Sequence, residues 1–143
     1  MTTPPTYSGF LGGWELIVDS CRYEQGAPPR SGSYRIEAVT GGDLTFTADW
    51  IDDAGNAETV TFRGPPDGSR VPLPGGELAD ALAIDAVSPR ELNTMAYKNG
   101  KELMIVQRQL DTTGAAMRVT QLVRLPDGTS PSNVSVYRRR DDA

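Results

Sequence analysis

Side chains able to carry chemistry are few in this chain. It has no histidine, which excludes Ser-His and Cys-His nucleophile pairs and histidine-based metal centres. Cys21 is the single cysteine. A neighbouring cation such as Arg22 lowers a thiol pKa, but the residue reads as an inert small side chain near a loop. Asp49, Asp52 and Asp53 straddle a strand end and a turn, so they read as hairpin chemistry rather than acid–base or calcium-binding groups. Gly41-Gly42 and Gly75-Gly76 open no helix and cradle no phosphate. Tyr97 and Tyr137 carry phenols, yet no spacing pairs either with a partner. Neither a metal site nor a cofactor is expected, and no catalytic residue can be assigned.

More informative are polar residues in phase with apolar ones. Thr94 falls between Leu92 and Ala96, Gln121 between Val119 and Val123, and Gln107 follows Leu103 and Ile105. Arg108 belongs to the other phase, with Met104 and Val106. A buried polar group without a partner costs about 1–3 kcal/mol, so such groups pair with each other, with water or with a ligand. Gln107, Gln121, Arg108 and Tyr137 are candidates to orient a ligand, against the plainer reading of a self-satisfied polar network.

These residues sit on period-two runs. Leu44, Phe46, Ala48 and Trp50 alternate with Thr45, Thr47 and Asp49, and Met117, Val119, Gln121 and Val123 alternate with Arg118, Thr120 and Leu122. Each is the pattern of a strand with one face buried. Turn residues such as Asn99-Gly100, Pro66-Asp67-Gly68 and Pro126-Asp127-Gly128 separate the runs. Eight to ten strands are predicted, over about 12–18, 32–39, 43–51, 57–64, 69–73, 79–86, 90–98, 101–110, 116–125 and 132–139. Residues 77–84 contain good helix formers but are assigned to a strand, because no sheet face is left for a helix to cover. A long meander avoids exposed edges by closing. The expectation is an all-β, single antiparallel up-and-down barrel, with large inward candidates Tyr34, Ile36, Phe46, Trp50, Val60, Phe62, Leu92 and Val119.

Composition agrees. With 143 residues the chain fits one domain, and its 15 glycines and 11 prolines suit many turns. A net charge of −5 argues against nucleic acid or anionic membranes as partners. The basic run Arg138-Arg139-Arg140 is followed at once by Asp141-Asp142 and reads as a solvated terminus. No apolar stretch approaches 18 residues, the start lacks the features of a leader, and the lone cysteine suits a reducing compartment. A cytoplasmic location is expected, and the Asn133-Val134-Ser135 sequon reads as coincidence. Residues 1–9 are expected to be a flexible leader, 10–139 the barrel and 140–143 a charged tail.

Phe10-Leu11-Gly12-Gly13-Trp14-Glu15-Leu16 resembles the F-x-G-x-W-x-L opening of the calycin superfamily. The order of later motifs is similar to that in a group of small bacterial lipocalin-like proteins. These are Gly26-Ala27-Pro28-Pro29, Asp52 to Gly55, Asp67-Gly68 with Pro72, Ala79-Asp80, Gly100-Lys101, Asp127-Gly128 and Asn133-Val134-Ser135-Val136-Tyr137. The likeness covers most of residues 10–138. It departs at Asp19-Ser20-Cys21-Arg22-Tyr23, where that group has a basic, serine-containing segment. The resemblance implies a lipocalin- or fatty-acid-binding-protein-like barrel with a ligand-holding cavity. It also implies that Gly12 and Trp14 close one end, with an arginine of the last strand such as Arg138 stacked on the indole.

The lumen residues proposed to meet a ligand are therefore Tyr34, Phe46, Trp50, Phe62, Thr94, Arg108, Gln121 and Tyr137. The leading expectation is a binding protein for a small, mainly hydrophobic or amphipathic molecule, acting as a monomer or homodimer. A cofactor-independent cyclase or isomerase of natural-product biosynthesis, working by holding its substrate in a reactive shape, is the alternative. A ligand-free protein that dimerises through a strand edge is a third.

Overall fold

The computed structural model describes residues 5–73 and 79–140. Among them, ten antiparallel strands follow the chain: β1 (Gly12–Tyr23), β2 (Ser31–Ala38), β3 (Leu44–Ile51), β4 (Ala57–Gly64), β5 (Asp67–Pro72), β6 (Ala81–Ser88), β7 (Glu91–Lys98), β8 (Lys101–Leu110), β9 (Ala116–Val123) and β10 (Ser132–Arg139). The all-β barrel expected from the alternation is the fold observed. Most strand bounds fall within two residues of the sequence reading. The predicted strand over 77–84 appears as β6, starting at Ala81; residues 77 and 78, and Gly75-Gly76, lie outside the described residues, as do 1–4 and 141–143 of the expected leader and tail.

Turn chemistry explains the hairpins. Asn99 and Gly100 both adopt positive φ, 52° and 81°, the pair that a tight two-residue hairpin demands. Asp52 bends the β3–β4 connection by accepting the amides of Ala54 and Asn56 at 3.0 and 2.8 Å. Asp111 and Asp127 repeat the device, each accepting the amide two residues on.

The strands form one sheet ordered β4-β3-β2-β1-β10-β9-β8-β7-β6-β5. Strand β1 joins the end of the chain to its beginning, pairing with both β2 and β10. No ladder joins β4 to β5, so the cylinder is nearly closed. Pro65 and Pro66, which connect these edges, lack the amide a ladder needs. Near the base the gap is tight: a Cβ on Gly64 would stand 3.3 Å from Ile84 Cδ1 and 3.4 Å from Val71 Cγ2.

Strand β1 runs further than the alternation suggested, to Tyr23 rather than residue 18. Its register with β10 jumps from Ile17↔Val136 to Arg22↔Val134, so four residues of β1 oppose Ser135 alone. Such a bulge breaks the ladder, and Ser20 repairs it. The Ser20 hydroxyl donates to the Ile17 carbonyl at 2.6 Å and accepts the Val136 amide at 2.8 Å.

The core fills one end of the barrel. Phe10, Trp14, Ile36, Leu44, Leu92 and Met117 are buried there, and Trp14 Nε1 donates to the Phe10 carbonyl at 2.9 Å. Residues Thr6–Phe10 form a 3-10 turn that carries Phe10 into this core and packs Tyr7 against it. The part of the expected leader that is described is thus a plug, because two aromatic rings so close to the closed end gain more by burial than by exposure.

The arginine on Trp14 is Arg139, with its guanidinium carbon 4.2 Å from the ring centre. Arg138, expected in that role, points outward and pairs with Glu15 at 3.3 Å. Adjacent strand residues face opposite ways, so Tyr137 and Arg138 could not both point inward.

Candidate functional site

Above the packed end the barrel holds a cavity of about 570 Å³, within the range of small-molecule sites. Of the lumen residues inferred from sequence, Tyr34, Trp50, Phe62, Thr94, Arg108, Gln121 and Tyr137 line it. Phe46 is fully buried but lies beneath it, its ring stacked on Phe62 at 4.7 Å between centroids. Gln107 is out of phase with the buried pair Val106 and Arg108, and so faces away from the cavity.

Arg108 dominates the electrostatics. It is 1% exposed, and among the described residues no carboxylate pairs with it. Its guanidinium carbon stands 4.8 Å from the Phe46 ring and 5.2 Å from the Tyr34 ring, close enough for cation–π attraction. Nη1 donates to Thr94 Oγ1 at 3.1 Å, whereas Nε is buried without a hydrogen-bond partner. The β7–β8 register sets this geometry: Thr94 pairs with Val106, two residues from Arg108, so both polar side chains point into one region of the lumen.

Around this cation stand neutral donors. The Tyr34 and Tyr137 rings lie 4.9 Å apart at 56°. Burial, with Tyr34 and Tyr23 close by, pushes the Tyr137 phenol well above its usual range, although Arg108 pulls the other way. Burial also raises Tyr23 to about 12. Both phenols therefore stay protonated at neutral pH and act as hydrogen-bond donors rather than bases. Gln121 donates to Met104 Sδ at 2.9 Å, a weak acceptor. Phe62, Val60, Leu82 and Ala96 supply an apolar wall.

Tyr23, Asn133, Ser135 and Met104 also line the cavity and were missed. For Tyr23 the cause is the β1 bulge, which no periodicity announces. Asn133 and Ser135 share the inward phase of Tyr137, so alternation along β10 is the signal that marks them. Cys21 is partly buried, and desolvation raises its thiol pKa despite opposing contributions from Tyr23 and Arg22. This is the opposite of activation. Among the described residues no group of acidic or cysteine side chains could hold a metal ion, and no helix is long and apolar enough to cross a membrane.

The mouth is bordered by residues 24–30, between β1 and β2, whose Ala27 and Pro29 touch the cavity. Asn133 Oδ1 accepts the amides of Glu24 and Gln25 at 2.9 and 3.1 Å, and its Nδ2 donates to the Gln25 carbonyl at 2.9 Å. The Glu24 carboxylate accepts the Ser132 amide at 2.7 Å, which holds its pKa below the usual value.

Fold and site together define an all-β, antiparallel, nearly closed barrel of the fatty-acid-binding-protein shape, with an internal cavity. Solved structures agree on the fold. Wild-type fluorescent protein UnaG superposes with a TM-score of 0.60 at 17% identity, covering 92% of this chain and 97% of that one. A Schistosoma mansoni fatty acid binding protein in complex with arachidonic acid gives 0.58 at 14%, covering 96% and 100%. Zebrafish ileal bile acid-binding protein complexed with cholic acid gives 0.56 at 16%, covering 93% and 100%. No protein-family model and no curated protein matches the sequence.

Proposed function

We propose that this barrel binds a small amphipathic molecule, with an apolar body in the cavity and an anionic head on Arg108. The observation that carries this reading is the buried guanidinium without a carboxylate partner among the described residues. An isolated buried charge is costly, and an incoming anion offsets that cost while satisfying Nε. The protonated phenol of Tyr137 adds a donor beside it. Two proteins of the same shape hold acids, arachidonic and cholic, which supports an acidic occupant here. We place this activity in the cytoplasm, where a lone thiol stays reduced.

Calorimetric titration with a panel of apolar carboxylic acids and their matched alcohols tests the proposal. The acids should bind at least tenfold more tightly than the alcohols. Arg108→Gln should remove that difference, since a hydrogen bond to a charged group contributes about 1.5–3 kcal/mol. Equal affinity for acid and alcohol would rule out the anionic head.

A further inference from the structure

The cavity has a shape as well as a charge, and the shape follows from side-chain size at successive inward positions. Arg108 on β8, Tyr34 on β2 and Tyr137 on β10 make its floor. Elsewhere on its wall β8 carries Val106, β10 carries Ser135, β3 carries Ala48 and β7 carries Ala96. All four are small. Two residues further along their strands the side chains grow again, with Trp50 after Ala48 on β3 and Met104 after Val106 on β8. Inward positions are two residues apart, so each step is about 7 Å. The lumen is therefore a wide belt between an aromatic, cationic floor and an aromatic mouth.

Five aromatic residues line this space: Tyr23, Tyr34, Trp50, Phe62 and Tyr137. A thin acyl chain would leave much of the belt unfilled, and unfilled volume forfeits dispersion contacts along its lining. A flat, rigid body of several fused rings spans the belt and meets ring faces and edges in the offset geometry that aromatic pairs favour. It also loses few rotatable bonds on binding.

Building on the anionic site at Arg108, we infer that the cavity takes a planar polycyclic aromatic acid in preference to a flexible fatty acid. The acid group sits on Arg108 and Tyr137, the rings lie in the belt of Ala48, Ala96 and Ser135, and Trp50 covers the outer edge. Such a ligand enters head first, because the cation is on the floor and the opening is at the Trp50 end.

Pyrene-1-carboxylate and palmitate share a head group and differ in body, so they separate this inference from the one beneath it. Calorimetry on the whole chain should give at least tenfold tighter binding of pyrene-1-carboxylate. Excitation of tryptophan should sensitise pyrene emission, and Trp50→Phe should remove most of that transfer. The double variant Ala48→Leu with Ala96→Leu, which narrows the belt, should weaken pyrene-1-carboxylate at least tenfold and palmitate by a smaller factor. If palmitate binds as tightly or more tightly, and Arg108→Gln weakens it, the planar ligand is overturned while the anionic site stands. If neither acid depends on Arg108, or neither binds, the anionic site falls and this inference with it. The wild-type comparison decides the matter even if the double variant does not fold.

Discussion

Arg139 lies over Trp14, its guanidinium carbon 4.2 Å from the indole centre, and its nitrogens donate to the carbonyls of Leu11, Gly9 and Gly114. One side chain from the last strand thereby ties together the 3-10 plug, the start of β1 and the β8–β9 turn. Cation–π attraction contributes about 0.5–2 kcal/mol, and each hydrogen bond from a charged donor adds about 1.5–3 kcal/mol. Arg139→Ala should cost about 2–4 kcal/mol in urea denaturation, after allowance for partial exposure. Arg138→Ala removes only an exposed pair with Glu15 and should cost less than about 0.5 kcal/mol. Equal losses would contradict the assignment of Arg139 as the closing residue.

Arg108 should behave in the opposite way. Its buried charge opposes folding in the empty barrel, so Arg108→Met should leave the ligand-free protein at least as stable, and more stable by about 1 kcal/mol or more. The same change should abolish the preference for acids. A strongly destabilised Arg108→Met protein would mean that the cation is a structural member of the core.

Gly12 stands at φ 112° opposite Ile36. A side chain there is strained whatever space surrounds it, at about 1–3 kcal/mol for a residue held in such a region. Gly12→Ala should lower the midpoint of urea unfolding by that amount without changing the denaturant slope.

The loop over the mouth should loosen in acid. Hydrogen bonds from Ser132 hold the Glu24 carboxyl below its ordinary value of 4.5. A lowered folded-state pKa gives stabilisation that is present above the ordinary value and lost as pH falls through the folded one. Hydrogen-exchange protection factors at Ser132 and Gln25 should hold at pH 6 and drop below pH 4.5. Glu24→Ala should show low protection at both. Unchanged protection in acid would show that Asn133 alone anchors the loop.

Much of this was legible beforehand, and the misses have physical causes. Alternation along β3, β7 and β9 put Trp50, Thr94 and Gln121 in phase with apolar partners, because side chains in a strand have a period of two, whereas on β8 it left Gln107 and Arg108, in opposite phases, both as candidates. Nothing in alternation could reveal that β1 bulges at residues 18–21, which brings Tyr23 to the cavity. Phe46 was assigned the correct inward phase but the wrong depth. Depth depends on barrel stagger, a property of all the strands together.

By itself, then, the sequence determined the element type, the hairpin turns and the two-residue alternation along each regular strand, all of which arise from neighbours a few residues apart. Only the tertiary structure decided which arginine meets Trp14, where the ladder breaks between β4 and β5, which phase of β8 faces inward, and that among the described residues Arg108 has no counter-charge. Those outcomes depend on pairing between residues as far apart as Gly9 and Arg139. Such pairings follow from closure of the whole barrel rather than from any local stretch of chain.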